Sequence, residues 1–209
     1  FICEINNNGD ILFSKKVGGV GSTSVSQVDY STISEVFALG SYNSTIYCDG
    51  DSITNSGGSD VFILKISPGN HLEKITGIGG TDTEYGVCIK SVGLDKVAIG
   101  VNYSGATNVL GNSFLSSGDG DFYIALLDTS FSLIWAKSCG TVLQDGVSDL
   151  GLNSVGDIVV AGNFGRRDAL YDGFHTFSGT SVYVSYKPAF LMKVRQSDGT
   201  FLFGIRTSD

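Results

Sequence analysis

Apolar residues recur at every second position of short segments along this chain, and the segments themselves return at a near-constant interval. Phe1-Ile2-Cys3-Glu4-Ile5 is followed by Phe62-Ile63-Leu64-Lys65-Ile66, Tyr123-Ile124-Ala125-Leu126-Leu127 and Phe190-Leu191-Met192-Lys193-Val194, at intervals of 61, 61 and 67 residues. Gly18-Gly19, Gly79-Gly80 and Gly140-Thr141 keep step with them. A sustained period means one supersecondary unit copied and stacked, so faces and loops are read once per unit. In the best-preserved copy, segments 85–91, 96–102, 122–128 and 133–138 read as four strands in two hairpins. Turns fall at Asn8-Gly9, Pro68-Gly69-Asn70 and Asp198-Gly199, residues that tolerate positive φ or hydrogen-bond their own backbone.

The period of two assigns the faces. Phe1/Cys3/Ile5, Phe62/Leu64/Ile66, Tyr123/Ala125/Leu127 and Phe190/Met192/Val194 are apolar in every copy and are expected to be core. The positions between them are half apolar and half charged, as for a sheet face that packs along part of its length. Leu64→Asp is therefore expected to cost several kcal/mol, and Lys65→Glu no more than about 1 kcal/mol. Val36-Phe37-Ala38-Leu39-Gly40, Val97-Ala98-Ile99-Gly100 and Ile158-Val159-Val160-Ala161-Gly162 do not alternate, which suits strands covered on both faces. The connection 103–121 and its counterparts read as long irregular loops, each dropping one apolar anchor (Ile53, Phe114, Phe174) between neighbouring sheets. In the longer third copy, 181–186 is expected to extend a strand.

These patterns predict an all-β chain of tandem four-stranded antiparallel units, as in the blades of a β-propeller. The expected units are 1–19 (half a blade), 20–80, 81–141 and 142–209, or three full units plus an extra hairpin. Asp121-Phe122-Tyr123-Ile124-Ala125-Leu126-Leu127 with Leu133-Ile134-Trp135-Ala136, and Gly79-Gly80-Thr81-Asp82 with Val97-Ala98-Ile99-Gly100, resemble the seven-bladed β-propeller repeat family of secreted and cell-surface proteins. The resemblance covers nearly the whole chain and implies a fold and an extracellular location; it places no catalytic residue. Thr141 and Lys187-Pro188-Ala189 depart from the repeat, where other copies carry Gly and a preceding Asp. The chain opens and ends on the same half of a unit. It is therefore expected to belong to a longer ring or assembly, docking other copies of itself or the rest of a longer chain.

Composition narrows the function. With 209 residues the chain can bury roughly 70% of its unfolded surface, enough for a core without metals or staples. A net charge of −8 argues against a nucleic-acid surface. No run of about 18 apolar residues suggests a membrane span. The start at Phe1 without methionine is expected of a mature or excised segment.

Among candidate sites, Asp49-Gly50-Asp51 and Asp119-Gly120-Asp121 could offer oxygens to calcium. Turn carboxylates accepting backbone N–H groups are the plainer reading, and the calcium-loop signature is missing. Asn43-Ser44-Thr45 and Asn102-Tyr103-Ser104 are N-glycosylation acceptors at one rim. His71 and His175 form no triad or zinc pattern. Trp135, where other copies carry Phe13 and Lys74, is expected to cover the outer strands. Cys3 and Cys139 fall in apolar slots, and no pairing among Cys3, Cys48, Cys88 and Cys139 is selected. Arg166, Arg167, Asp168, Tyr171, Asp172 and His175 mark the one irregular loop. The expected role is a non-enzymatic extracellular structural or interaction module. A glycan- or calcium-binding propeller and an enzyme with a site at the propeller axis are the alternatives.

Overall fold

The structure, a computed structural model, describes residues 1–165, 173–177, 180–184 and 189–206. Every regular element among them is a strand. The hairpin β1 (Ile2–Ile5) and β2 (Ile11–Lys15) comes first, then the two-residue β3 (Gly18–Gly19). In the first unit β4 (Thr23–Tyr30) and β5 (Val36–Tyr42) precede a small hairpin, β6 (Ile46–Cys48) and β7 (Asp51–Ile53), before β8 (Asp60–Ile66) and β9 (Leu72–Ile78). The second unit repeats this as β10 (Thr83–Val92), β11 (Lys96–Ser104), β12 (Ala106–Val109), β13 (Asn112–Leu115), β14 (Asp121–Asp128) and β15 (Leu133–Cys139). The third does so again as β16 (Gly146–Leu152), β17 (Ile158–Asn163), β18 (Gly173–Phe177), β19 (Thr180–Val184), β20 (Ala189–Val194) and β21 (Phe201–Arg206).

Three antiparallel sheets result, ordered β4-β5-β8-β9, β10-β11-β14-β15 and β16-β17-β20-β21. Their registers coincide copy for copy: Gly40 pairs with Phe62, Val101 with Tyr123 and Gly162 with Phe190. So do their irregularities, since each first strand bulges at one place, between Val25 and Gln27, Gly86 and Cys88, and Val147 and Asp149. A bulge that recurs at one position is a built feature of the unit.

Packing follows from the alternation. Phe62, Leu64 and Ile66 face the opening hairpin with Ile2, Phe13 and Val17. From the other face of the same sheet Phe37, Leu39 and Ile63 meet Tyr123, Ala125 and Leu127 of the second sheet. Ala98, Ile124 and Leu126 then meet Phe190, Met192 and Val194 of the third. Strand β10 lies against both β4 and β16. Side chains bridge the outer rim: Lys74 donates to the Ser130 carbonyl, and at the equivalent position Trp135 Nε1 donates to the Gln196 carbonyl at 2.8 Å.

Three expectations change. In the first copy the apolar face is open, with Phe1 82% and Ile5 56% exposed while Ile2 is buried. No described sheet packs on this face, which is core in the later copies. The connections between second and third strands are not irregular, because each folds as a two-stranded hairpin. Ile53 and Phe114 do pack against the cores, as anchors should, but Cys48 and Val109 of the same hairpins go deeper. Lys65 is no tolerant surface residue: its side chain is 12% exposed and holds Glu35 at 2.7 Å and Glu73 at 2.9 Å.

Candidate functional site

Two acidic positions per unit converge where one sheet meets the next. A parallel bridge joins Ser59 to Thr83, and its copy joins Gly120 to Gln144. Glu84 N donates to the Ser59 carbonyl at 2.7 Å, and Asp145 N to that of Gly120 at 2.8 Å. This stitch brings Glu84 beside Asp60 and Asp145 beside Asp121. Asp60 Oδ2 accepts from Ser56 N at 2.6 Å, and Asp121 Oδ2 from Ser117 N at 2.7 Å. The carboxyls press on the first glycine of the Gly-Gly landmark. A Cβ on Gly79 would lie 2.5 Å from Asp60 Cγ, and one on Gly140 would lie 2.0 Å from Asp121 Cγ. At these two junctions the first landmark glycine therefore makes room for a buried acid.

The two junctions differ in how those acids are satisfied. At the first, Glu84 Oε1 accepts from Gly80 N at 3.0 Å, while Glu84 Oε2, Asp60 Oδ1, Thr107 Oγ1 and Tyr123 Oη are buried without a well-formed hydrogen bond, the Thr107 hydroxyl standing next to the Glu84 carboxyl. Asp60 and Thr107 are 2% exposed and Glu84 and Tyr123 0%. Burial and then the Asp60 charge push the Glu84 carboxyl up to about 7, against the neighbouring Thr107 hydroxyl and the Gly80 N–H, which oppose the rise. Burial likewise lifts Asp60, and it lifts the Tyr123 phenol well above its usual range. At the second junction the shorter Asp145 accepts from Thr141 N and Gly165 N, so both its oxygens are used. Phe190 replaces Tyr123 there and packs on Phe164 at 4.7 Å between ring centroids. Asp121 Oδ1 is left alone, and burial pushes that carboxyl up to about 6.

Beside this second pair opens a cleft of about 410 Å³, lined by Tyr85, Asn102, Tyr103, Asp119, Asp121 and Asp145 among others. The first pair is too deeply buried to touch a solute and can act only within the protein.

The acids singled out by the sequence do not converge on one centre. Asp49 and Gly50 take positive φ, 48° and 98°, in the two-residue turn of β6–β7, and Asp49 pairs with Lys15. Leu110-Gly111 makes the same turn one unit later, so the turn does not need a carboxylate. Asp51 and Asp119 are exposed, whereas Asp121 is buried. No cluster of three or more His, Cys, Asp or Glu that could hold a metal occurs among the described residues. Asn43 is exposed and accepts from Ser22 N at 2.7 Å. Asn102 is half-buried and clips the second junction, accepting from Val147 N at 2.8 Å and donating to its carbonyl at 3.4 Å. Ser41, its counterpart, accepts from Gly86 N at 3.0 Å. All four cysteines are free thiols. His71 is exposed in the turn before β9. Arg166, Arg167, Asp168, Tyr171 and Asp172 lie outside the described residues, as does the side chain of His175.

Sequence reasoning missed Glu84 and Asp145. The signal was present, because an acid recurs there at the repeat interval of 61. No protein-family model matches this chain, and no curated protein matches it.

Proposed function

We propose that this chain is a non-enzymatic structural and interaction module of an extracellular assembly, built from β-propeller-type blades and extended by further sheets of the same kind. One observation carries the reading: among the described residues, the apolar faces that mate at each internal junction recur at the two ends of the array with apolar side chains exposed. Phe1 and Ile5 are exposed where Phe62 and Ile66 are buried, and Leu191 is 39% exposed where Ile63 and Ile124 are fully buried. Such a head-to-tail contact propagates or closes according to its rotation. The partner is a second copy presenting the complementary face, and Asn43 carries the sugar expected of a secreted subunit. Mixing Ile5→Cys and Leu191→Cys variants under oxidising conditions tests the contact. A covalent dimer through those positions is expected, and persistence of monomeric thiols at high concentration refutes the contact.

The second-junction cleft favours one further reading, a glycan site, because the exposed Tyr85 ring lines it beside the exposed Asp119. Titration with glycan probes followed by the Tyr85 side-chain resonances checks this. Unchanged signals exclude it.

A further inference from the structure

The first junction contains two carboxyl groups with no hydrogen-bond donor left over for either free oxygen except two hydroxyls. Asp60 comes from β8 of the first sheet and Glu84 from β10 of the second, so the pair spans the boundary between them. Thr107 reaches the same place from β12 and Tyr123 from β14. The other titratable groups facing the pair are Asp82 and Tyr42, and Tyr103 stands beside Tyr123. Neither lysine, arginine nor histidine contributes to the surroundings of Asp60, Glu84 or Tyr123 among the described residues. Two full negative charges enclosed this deeply, with only neutral hydroxyls and a third acid nearby, would be strongly unfavourable. One proton removes the conflict. It turns one carboxyl into a donor and leaves a single negative charge, to which Thr107 and Tyr123 can also donate.

We propose that Asp60 and Glu84 share one proton and form a pH-sensitive latch between the first and second sheets. Protonated, the pair is a hydrogen bond across the boundary; deprotonated, it is a buried repulsion at the same place. Each carboxyl already holds one oxygen on a backbone N–H, from Ser56 and Gly80. The two groups therefore cannot swing apart without breaking those bonds. The sign follows from the raised position of Glu84: the folded state binds the proton more tightly than the unfolded chain does. The latch's contribution is complete below about 4.5, Glu84's ordinary value, and is lost as the pH rises through about 7.

The direct test is a carbon-13 titration of the Glu84 side-chain carboxyl in the whole chain, paired with urea unfolding between pH 5 and pH 8.5. The expected Glu84 midpoint is near 7, displaced from 4.5. The urea midpoint of the wild type should fall across that range, and the fall should shrink by at least half in Glu84→Gln, whose amide keeps a donor facing Asp60. A Glu84 midpoint near 4.5 overturns the proposal, and so do equal pH dependences in the two proteins. Recovery of stability by calcium at pH 8 in the wild type, absent in Glu84→Gln, also overturns it by assigning a cation to the pair. If Glu84→Gln does not fold, the carbon-13 titration of the wild type decides alone.

Discussion

Strands β11 and β17 occupy the same place in successive sheets and carry the same kind of apolar run, yet their surroundings differ. From Val97 to Val101 β11 is buried without interruption, whereas β17 alternates, with Ile158, Val160 and Gly162 buried and Val159 and Ala161 half-open. Sheets flank the second sheet on both sides, while the described structure covers the third on one side only. An unbroken apolar run thus suits a strand covered on both faces, and the described structure covers β17 on one. The opening hairpin shows the mirror case, with Ile2 covered and Phe1 and Ile5 uncovered.

The largest expected effect comes from placing one charge on each side of this comparison. Ile124→Asp buries an unpaired carboxylate between two sheets and should cost about 4 kcal/mol or more. Leu191→Asp, at the equivalent position on the open face, should change the stability of the isolated chain by about 1 kcal/mol or less. Denaturant midpoints measure both, and equal losses would remove the distinction between internal and end faces.

Next comes Lys65→Glu. It removes two ion pairs and sets a third carboxylate between Glu35 and Glu73, for an expected loss of about 3 kcal/mol. Thermal unfolding checks it, and Lys65→Met should recover much of the loss because the stem is already buried.

A smaller effect separates the two sequons. Asn43 is free to carry sugar, but a glycan on Asn102 Nδ2 would break its contact with the Val147 carbonyl at the second junction. Glycopeptide mass spectrometry of chain secreted from a eukaryotic host should find Asn43 occupied and Asn102 largely bare. The reverse pattern would show that the Asn102 clip opens readily.

Much of this was legible in the sequence because the repeat averages over local accidents. Strand positions, the apolar second strands and the buried slot of Cys139 follow from alternation and period alone, whereas Cys3, in the equivalent pattern, is only half-buried. Alternation tells which face Lys65 occupies and not what stands opposite it; Glu35 comes from the turn before β5 and Glu73 from β9. The hairpins β6–β7 and β12–β13 do not show as strands in the sequence, because each strand is only three or four residues long. Such segments carry too little period to register. Asp60 and Asp121 precede the same strand one repeat apart, but their partners Glu84 and Asp145 differ in length and stand in another strand. Only the parallel bridge between sheets brings them together.

Sedimentation velocity over a wide concentration range tests most directly the claim that the two end faces are an unfilled copy of the internal junction. Concentration-dependent species heavier than the 22.0 kDa chain are expected, abolished by Ile5→Asp or Leu191→Asp without loss of strand signal in circular dichroism. A single 22.0 kDa species at every concentration, unaltered by either substitution, would contradict it.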